Sequence, residues 1–152
     1  MTLVAVVIAS KTDEPLIQPT LEILRQLKID HELLIMSAHR NPEKVRDFGK
    51  RSREQGIELI IAGAGAAAHL PGVLASWTTL PVIGIPLPTS ELKGIDSLYS
   101  MIQMPSGVPV ACVGIGSSGA KNAAILAAQI LGLKHEKIRN AYQKYKEQLA
   151  QT

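Results

Sequence analysis

Aromatic side chains are scarce in this chain, which has one Trp, one Phe and three Tyr among 152 residues. Proteins that bind RNA or single-stranded DNA usually stack bases on aromatic rings, so the scarcity argues against that class. The basic excess is mild, with a formal charge of +3, and falls mainly in residues 51–54 and 134–148, where acids and amides are interspersed. Such stretches are typical of solvated helix faces, and we expect no nucleic-acid partner.

Cysteine and long apolar runs are scarce as well. The single cysteine, Cys112, lies in an apolar stretch where it packs as a small hydrophobic residue, and one cysteine cannot form a disulfide framework within the chain. No uninterrupted apolar run approaches about 20 residues, and the apolar N-terminus lacks the basic segment of an export signal. We therefore expect a soluble, cytoplasmic protein without a membrane span.

Several catalytic motifs are missing. The sequence has no GxGxxG, no Walker lysine motif, no GxSxG and no clustered Cys and His at metal-ligand spacing. Dinucleotide-binding, P-loop, α/β-hydrolase and zinc-enzyme interpretations consequently lack support.

Short apolar runs recur at 3–9, 31–36, 58–65, 81–86 and 108–116. Their length and β-branched content predict strands, and their continuous rather than alternating character predicts burial on both faces of a parallel sheet. Segments with helical spacing lie between them. The pattern predicts a single α/β domain over residues 1–152, with a doubly wound parallel sheet between two helical layers.

Two of the intervening helices have recognisable patterns. Residues 15–29 carry a leucine stripe at helical spacing, formed by Leu16, Leu21, Leu24 and Leu27. In residues 41–56, Pro42 marks a helix start and Gly56 a C-cap.

The C-terminal region predicts two further helices. Residues 120–133 are apolar around most of the helix circumference, so this helix must be buried, and we expect it to pack between subunits. The last helix, from about residue 134 to 148, is more polar and could reach a neighbouring subunit.

Three polar or glycine-rich segments follow predicted strands, where open α/β sheets bind ligands. "ASKTD" at 9–13 offers the hydroxyls of Ser10 and Thr12, the carboxylate of Asp13 and a helix N-terminus, which together suit a phosphate with an adjoining sugar. Plain capping of the helix by Thr12 or Asp13 explains the same residues equally well.

"SAHR" at 37–40 pairs His39, which can give and take a proton near neutral pH, with Arg40, a phosphate partner of fixed charge. A capping Ser37 beside a solvated His-Arg pair is the alternative. "AGAGAAAHLPG" at 62–72 leaves backbone N–H groups accessible and leaves space against a planar ligand. Tight helix–sheet packing produces the same composition, and His69 is expected just inside the next helix, where a structural role is favoured.

Together these segments resemble a known family. "SAHR-x-P", "IIAGAG-x-AAHLPG", "G-x-DSLYS-x-x-QMP-x-G-x-PV" and "NAA-x-LAAQIL" are similar, in order and over nearly the whole chain, to the phosphoribosylaminoimidazole carboxylase catalytic subunit of purine biosynthesis. "AHR" with "AHLPG" resembles class I, the N5-carboxyaminoimidazole ribonucleotide mutases, whereas class II carboxylases typically show "AHK". The resemblance implies a flavodoxin-like fold and a homo-octamer with active sites shared between subunits.

The resemblance also implies the roles of individual residues. His39 corresponds to the catalytic histidine, Ser10 to the phosphate-loop serine, Asp13 to the ribose-binding aspartate and Arg40 to the phosphate-binding arginine. The complete set of implied substrate-binding residues is Ser10, Thr12, Asp13, Ser37, Ala38, Arg40, Gly63, Ala64, Gly65, Ala66 and His69.

The implied reaction moves a carboxyl group from the exocyclic nitrogen of an imidazole ribonucleotide to ring carbon 4, without ATP, metal or another cofactor. His39 would protonate the carbamate nitrogen, and CO2 would stay trapped until the ring carbon attacks it. A class II carboxylase using CO2, a non-catalytic nucleotide-binding module and a member serving only assembly are the alternatives, and Arg40 and His39 argue against the first two.

Three positions depart from the family's usual sequence. Ala9 and Ala66 stand where glycine is usual, and Thr12, which keeps the hydroxyl, stands where serine is usual. Ala9 would be strained if the backbone there required a positive φ, and the methyl group of Ala66 is expected to narrow the ligand loop.

Overall fold

A computed structural model describes all residues from Met1 to Thr152. Strands and helices alternate, as the sequence predicts. The strands are β1 (Val4–Ile8), β2 (His31–Ile35), β3 (Leu59–Gly65), β4 (Val82–Leu87) and β5 (Ala111–Cys112). The helices are α1 (Glu14–Gln26), α2 (Pro42–Arg51), α3 (Leu70–Trp77), α4 (Ile95–Ile102), α5 (Gly116–Gly132) and α6 (Glu136–Leu149), with a short 3-10 turn at Lys11–Asp13.

All five strands are parallel, in the order β2-β1-β3-β4-β5. This is the flavodoxin-like order of a doubly wound sheet, which confirms the predicted fold class. In the register, Ile8 at the end of β1 pairs with Ile35 of β2 and Gly63 of β3. Strand order reverses between β1 and β3, so the loops after β1, β2 and β3 open at one edge around the switch point where such sheets bind ligands.

Side chains on the two faces of the sheet form separate cores. One face packs against α1, α5 and α6, and the other packs against α2, α3 and α4. Strands β1 and β4 are buried along their whole length. The predicted burial on both faces thus holds for the inner strands β1, β3 and β4, whereas the edge strands β2 and β5 are only partly buried.

Two helices differ in detail from the prediction, one in its buried stripe and one in its C-terminal boundary. In α1 the buried stripe includes Ile17, whereas Leu16 is only partly buried. Regular α2 ends at Arg51, and one irregular turn follows. That turn closes at Gly56, where φ is +87° and the next N–H, of Ile57, donates to the Ser52 carbonyl at 3.1 Å. Gly56 thus acts as the left-handed terminating residue, one turn beyond the helix.

The fifth strand is much shorter than the predicted 108–116. Only Ala111 and Cys112 pair with β4, opposite Ile83 and Gly84. Pro109 has no N–H to donate to a ladder, and Gly114 turns the chain away with φ of +132°. Both features suit the edge position that β5 occupies.

Helix α5 is buried largely within its own chain. Its small residues pack against α1 and the sheet, and the hydroxyl of buried Thr20 in α1 donates to the Ala120 carbonyl at 2.8 Å. The apolarity of α5 is therefore explained without a second subunit, and packing of the C-terminal helices between subunits stays a prediction. No helix of the chain is long and apolar enough to cross a membrane.

Candidate active site

The segment after β1 forms a hydroxyl-rich turn. Ser10 caps the 3-10 turn, and its Oγ accepts from the N–H and the hydroxyl of Thr12 at 3.3 and 3.0 Å. Asp13 immediately precedes α1, but its side chain makes no capping hydrogen bond. Capping thus accounts for Ser10, whereas the Asp13 carboxylate stays available to a ligand at the positive end of α1.

The segment after β2 is held by a capping serine, and it also presents two functional side chains. Buried Ser37 accepts, through Oγ, from the backbone N–H groups of His39 at 3.3 Å and Arg40 at 3.1 Å. Asn41 Oδ1 accepts from the Ser37 N–H at 3.2 Å. Ser37 therefore closes the turn at residues 38–40, while Asn41 is the N-cap residue of α2, and this turn fixes the backbone from which His39 and Arg40 project.

Arg40 reaches across the sheet edge to the first segment. Its Nη2 donates to the Ala9 carbonyl at 3.1 Å, and its Nε donates to Ser37 Oγ at 3.4 Å. Of its five N–H groups, three stay free for an anion. The guanidinium is therefore fixed beside the hydroxyl-rich turn, where it can bind a phosphate.

Asp13 and Arg40 are electrostatically coupled. Burial raises the pKa of Asp13 above its ordinary value of 3.8, and the positive charge of Arg40 opposes that shift. The desolvated carboxylate is suited to accept hydrogen bonds from ligand hydroxyls, which would replace the lost water.

His39 meets His69 across the site. His39 Nε2 lies 2.5 Å from His69 Nδ1, and the rings are perpendicular with centroids 4.8 Å apart. His69 occupies the N-cap position directly before α3, one residue earlier than predicted. Its contact with His39 places it in the site, where the sequence favoured a structural role.

These groups line one small cavity of about 160 Å³ at the switch point. Polar walls come from the segments after β1 and β2, and the Gly-Ala loop after β3 supplies an apolar wall. The lining residues are Ala9, Ser10, Asp13, Ser37, Ala38, His39, Arg40, Ala64, Gly65, Ala66, Ala68, His69, Leu70 and Thr89.

Comparison with known proteins agrees with this geometry. The AIR carboxylase family profile matches residues 3–152. The chain belongs to the AIR carboxylase family. A curated relative from Saccharolobus solfataricus, named N5-carboxyaminoimidazole ribonucleotide mutase, is 52% identical over 149 residues, which cover 98% of this chain and 93% of the relative. A mutase of the same name from Pseudomonas aeruginosa is 45% identical over 150 residues, covering 99% and 92% of the two chains.

A solved structure supports the same assignment. The crystal structure of Treponema denticola PurE superposes with a TM-score of 0.88 at 30% sequence identity, covering 99% of this chain and 93% of that one. The resemblance predicted from the sequence is thus confirmed as membership of the AIR carboxylase family, with its flavodoxin-like fold.

The two alanines that stand where the family usually has glycine have different structural consequences. Ala9 does not have a positive φ, so its methyl group causes no backbone strain. Ala66 has φ of +52°, and Ala68, two residues later, has φ of +47°. Left-handed conformations cost L-residues about 1–2 kcal/mol each relative to right-handed ones, so this AIR carboxylase member carries strain in its ligand loop.

Two of the residues implied by the resemblance lie outside the cavity wall. Gly63 is inside β3, where it pairs with Ile8 and Ile85 and is buried against Ile17. The part of this segment that lines the cavity therefore begins at Ala64, in the last two residues of β3. Thr12 is exposed and contacts the cavity only through its hydrogen bonds to Ser10.

Four cavity residues are absent from the set that the resemblance implies: Ala9, Ala68, Leu70 and Thr89. The first three lie in the predicted segments 9–13 and 62–72, whereas Thr89 lies in none of the three segments. Leu70 begins α3, and Thr89 follows β4. A Cβ placed on Gly65 would fall within bonding distance of Thr89 Oγ1, so Gly65 is the residue that admits this threonine. The position of Thr89 at a strand's carboxyl end was the available indication. No group of three or more His, Cys, Asp or Glu side chains is arranged to hold a metal ion.

Proposed function

We propose that this protein is an N5-carboxyaminoimidazole ribonucleotide mutase, which moves the substrate's carboxyl group from the exocyclic nitrogen to ring carbon 4. The relatives' mutase names support this function. The observation that carries it is the His39–His69 pair. This pair lies in the same cavity as the Arg40 guanidinium, which keeps three free N–H groups, and the hydroxyl-rich turn. That cavity can bind a ribonucleotide at one end and move a proton at the other.

Binding follows from the polar walls. The substrate phosphate binds Arg40, Ser10 and the N–H groups at the start of α1, where the helix dipole favours an anion. The ribose hydroxyls donate to Asp13. The imidazole then extends past Ala38 toward the Gly-Ala loop, with Ala64, Gly65 and Ala66 against its face.

Chemistry follows at the histidine pair. His39 gives a proton to the carbamate nitrogen, the nitrogen–carboxyl bond breaks, and CO2 is held in the cavity. Ring carbon 4 attacks CO2 to form the new carbon–carbon bond, and the imidazole takes the proton that carbon 4 loses. One proton is given to the nitrogen and one is taken from carbon 4, so substrate and product contain the same atoms and the reaction is an isomerisation. One imidazole can serve in both steps because it accepts and releases protons near neutral pH.

The apolar wall keeps CO2 close to the ring. Ala64, Ala68 and Leu70 are buried and line this side of the cavity with apolar groups. Free CO2 would otherwise diffuse away, and confinement converts recapture into an effectively intramolecular step.

We propose that the protein acts in the cytoplasm as a homo-oligomer, and specifically as an octamer. The support for self-association is an apolar row on and just before α4, formed by Leu92, Ile95, Tyr99 and Ile102, which are 63%, 45%, 67% and 55% exposed. Such a row is unfavourable in water and suits contact with another copy. Light scattering at several protein concentrations measures the assembly, and a monomer throughout would refute the proposal.

Substrate preference tests the proposed reaction. The protein is supplied either with N5-carboxyaminoimidazole ribonucleotide or with aminoimidazole ribonucleotide plus bicarbonate, and formation of the carbon-carboxylated product is measured. We expect rapid turnover of the first substrate and little from the second. Turnover of the second alone identifies a CO2-dependent carboxylase, and binding without turnover of either identifies a nucleotide-binding module.

A further inference from the structure

Ser97 on α4 lies beneath the ligand loop and outside the cavity. Its side chain is fully buried, and its Oγ lies 3.2 Å from the Ala66 carbonyl oxygen and 3.3 Å from the Leu87 carbonyl oxygen. A hydroxyl has one proton to donate. The Leu87 carbonyl already accepts from the Thr89 N–H at 2.9 Å, whereas the Ala66 carbonyl has no protein donor other than the Ser97 hydroxyl. We therefore expect the Ser97 hydroxyl to donate its proton to the Ala66 carbonyl oxygen.

The position of Ser97 is fixed by the start of α4. Ser90 donates to Asp96 Oδ2 at 2.5 Å, and this hydrogen bond lowers the pKa of Asp96, so the carboxylate stays ionised at neutral pH. Gly94 precedes the helix with φ of +92°, and a Cβ there would lie 2.6 Å from Ile115 Cγ2. The hydrogen bonds and close packing at the start of α4 thus hold the Ser97 hydroxyl in place.

The loop that Ser97 contacts requires such a restraint. Ala66 and Ala68 both have left-handed backbone angles, which alanine avoids when unrestrained. The turn is closed internally only by the Ala68 N–H, which donates to the Gly65 carbonyl at 3.0 Å. His69 follows directly, so relaxation of this turn would move His69 away from His39.

We propose that Ser97 is a positioning residue of the active site: its hydroxyl holds Ala66 in the left-handed conformation and thereby places His69 against His39. The contact links α4 to the loop after β3, and Ser97 itself does not line the cavity. The kinetic part of this inference rests on the proposed mutase function.

Ser97→Ala tests the restraint, and Ser100→Ala is the matched control. Ser100 lies on the same helix, but its Oγ donates to the Asp96 carbonyl within that helix at 2.9 Å. For Ser97→Ala we expect kcat to fall about tenfold, equivalent to about 1.4 kcal/mol. KM should change less than about twofold, because Arg40, Ser10 and Asp13 are untouched. Ser100→Ala should keep kcat within about twofold.

The strain at Ala66 gives a second, sharper test. Glycine reaches positive φ without strain, so a loop carrying Ala66→Gly depends less on the restraint. The loss caused by Ser97→Ala should therefore shrink to about threefold or less when measured against Ala66→Gly alone. An equal loss in both backgrounds would show that Ser97 does not act through the conformation of Ala66.

Hydrogen exchange separates this inference from the proposed function. In Ser97→Ala, but not in Ser100→Ala, we expect the Ala68 amide, the one N–H of this turn that is hydrogen-bonded, to exchange about tenfold faster. If the unaltered protein has no mutase activity, the function is wrong and this exchange alone decides the inference. Unchanged loop exchange with unchanged kcat overturns it. If Ser97→Ala does not fold, Ser97→Cys, which keeps the size but donates weakly, is judged by the same criteria.

Discussion

His39 Nε2 and His69 Nδ1 lie 2.5 Å apart, although the two residues follow different strands and are separated by 30 positions in the chain. A hydrogen bond at this contact has the N–H of one imidazole as donor and the bare nitrogen of the other as acceptor. The two rings therefore form a continuous path along which a proton can pass to a ligand and back.

Replacing His39 with asparagine should remove this proton transfer. Asparagine keeps a polar side chain of similar size but cannot cycle a proton at neutral pH. We expect kcat to fall by roughly 10²–10⁴, with nucleotide binding retained through Arg40 and Asp13. His31→Asn is the control, because His31 starts β2 and its ring contacts the Ile29 carbonyl outside the cavity. Unchanged kcat in His39→Asn would exclude the assigned role.

Removing the charge of Arg40 should affect both the ligand and Asp13. In Arg40→Gln the opposing positive charge is lost, so the pKa of Asp13 should rise still further above 3.8. Nucleotide affinity should fall at least tenfold, because a charged hydrogen bond to phosphate is lost. An NMR titration of the Asp13 carboxyl and calorimetry with a ribonucleotide measure the two effects. A lowered Asp13 pKa would contradict the coupling.

An acidic side chain far from the cavity should make stability depend on pH. Glu58, directly before β3, accepts from Lys134 at 2.6 Å and from His135 at 2.8 Å, and chiefly the Lys134 hydrogen bond lowers the pKa of Glu58 below 4.5. The stabilising contribution of ionised Glu58 to the free energy of unfolding is therefore present above pH 4.5 and is lost as the pH falls through the pKa of Glu58 in the folded protein. Glu58→Gln should reduce the unfolding free energy at pH 7 by roughly 0.5–1 kcal/mol.

Urea unfolding at pH 7 and pH 3 measures this effect. The difference between Glu58→Gln and the unaltered protein should disappear at the lower pH. Exposed Glu54 makes no ion pair, so Glu54→Gln should leave stability nearly unchanged at both values. A stability difference that stays constant with pH would rule out the ion cluster as its source.

Two glycines test the packing of α2 against α3. A Cβ on Gly49 would lie 2.6 Å from Trp77 Cβ, whereas a Cβ on Gly72 would meet only the flexible end of Met104 at 3.1 Å. Gly49→Ala should destabilise the fold by about 1–3 kcal/mol. Gly72→Ala should be neutral or stabilising, since alanine favours helices by up to about 1 kcal/mol. Thermal unfolding compares them, and equal Tm values would contradict the packing.

Much of the architecture follows from local patterns. The runs that became β1, β3 and β4 are apolar along their length and are buried on both sheet faces, whereas β2 begins with His31 and Glu32 and is only partly buried at the sheet edge. The short β5 was not predicted correctly, because its apolar run resembles a full strand and only its edge position and glycine angles end it early. The burial of α5 within the chain depends on α1, which no local pattern reveals.

The site was predictable to the extent that single segments carry it. Ser10, Asp13, His39 and Arg40 directly follow two predicted strands, and the resemblance to the family implies their roles. The contact between His39 and His69 depends on strand order and on two left-handed alanines, and Thr89 enters only because β4 neighbours β3. Such relationships arise from tertiary structure and cannot be read from a single segment.

Isotope tracing tests the central claim most directly. N5-carboxyaminoimidazole ribonucleotide labelled with ¹³C in its carboxyl group is mixed with the protein, without ATP and in unlabelled bicarbonate, and the carbon-carboxylated product is analysed by mass spectrometry. Transfer of the carboxyl group within the cavity predicts rapid product that keeps most of the label. Absence of product, or product whose carboxyl carbon comes from the unlabelled bicarbonate, would contradict the proposed mutase.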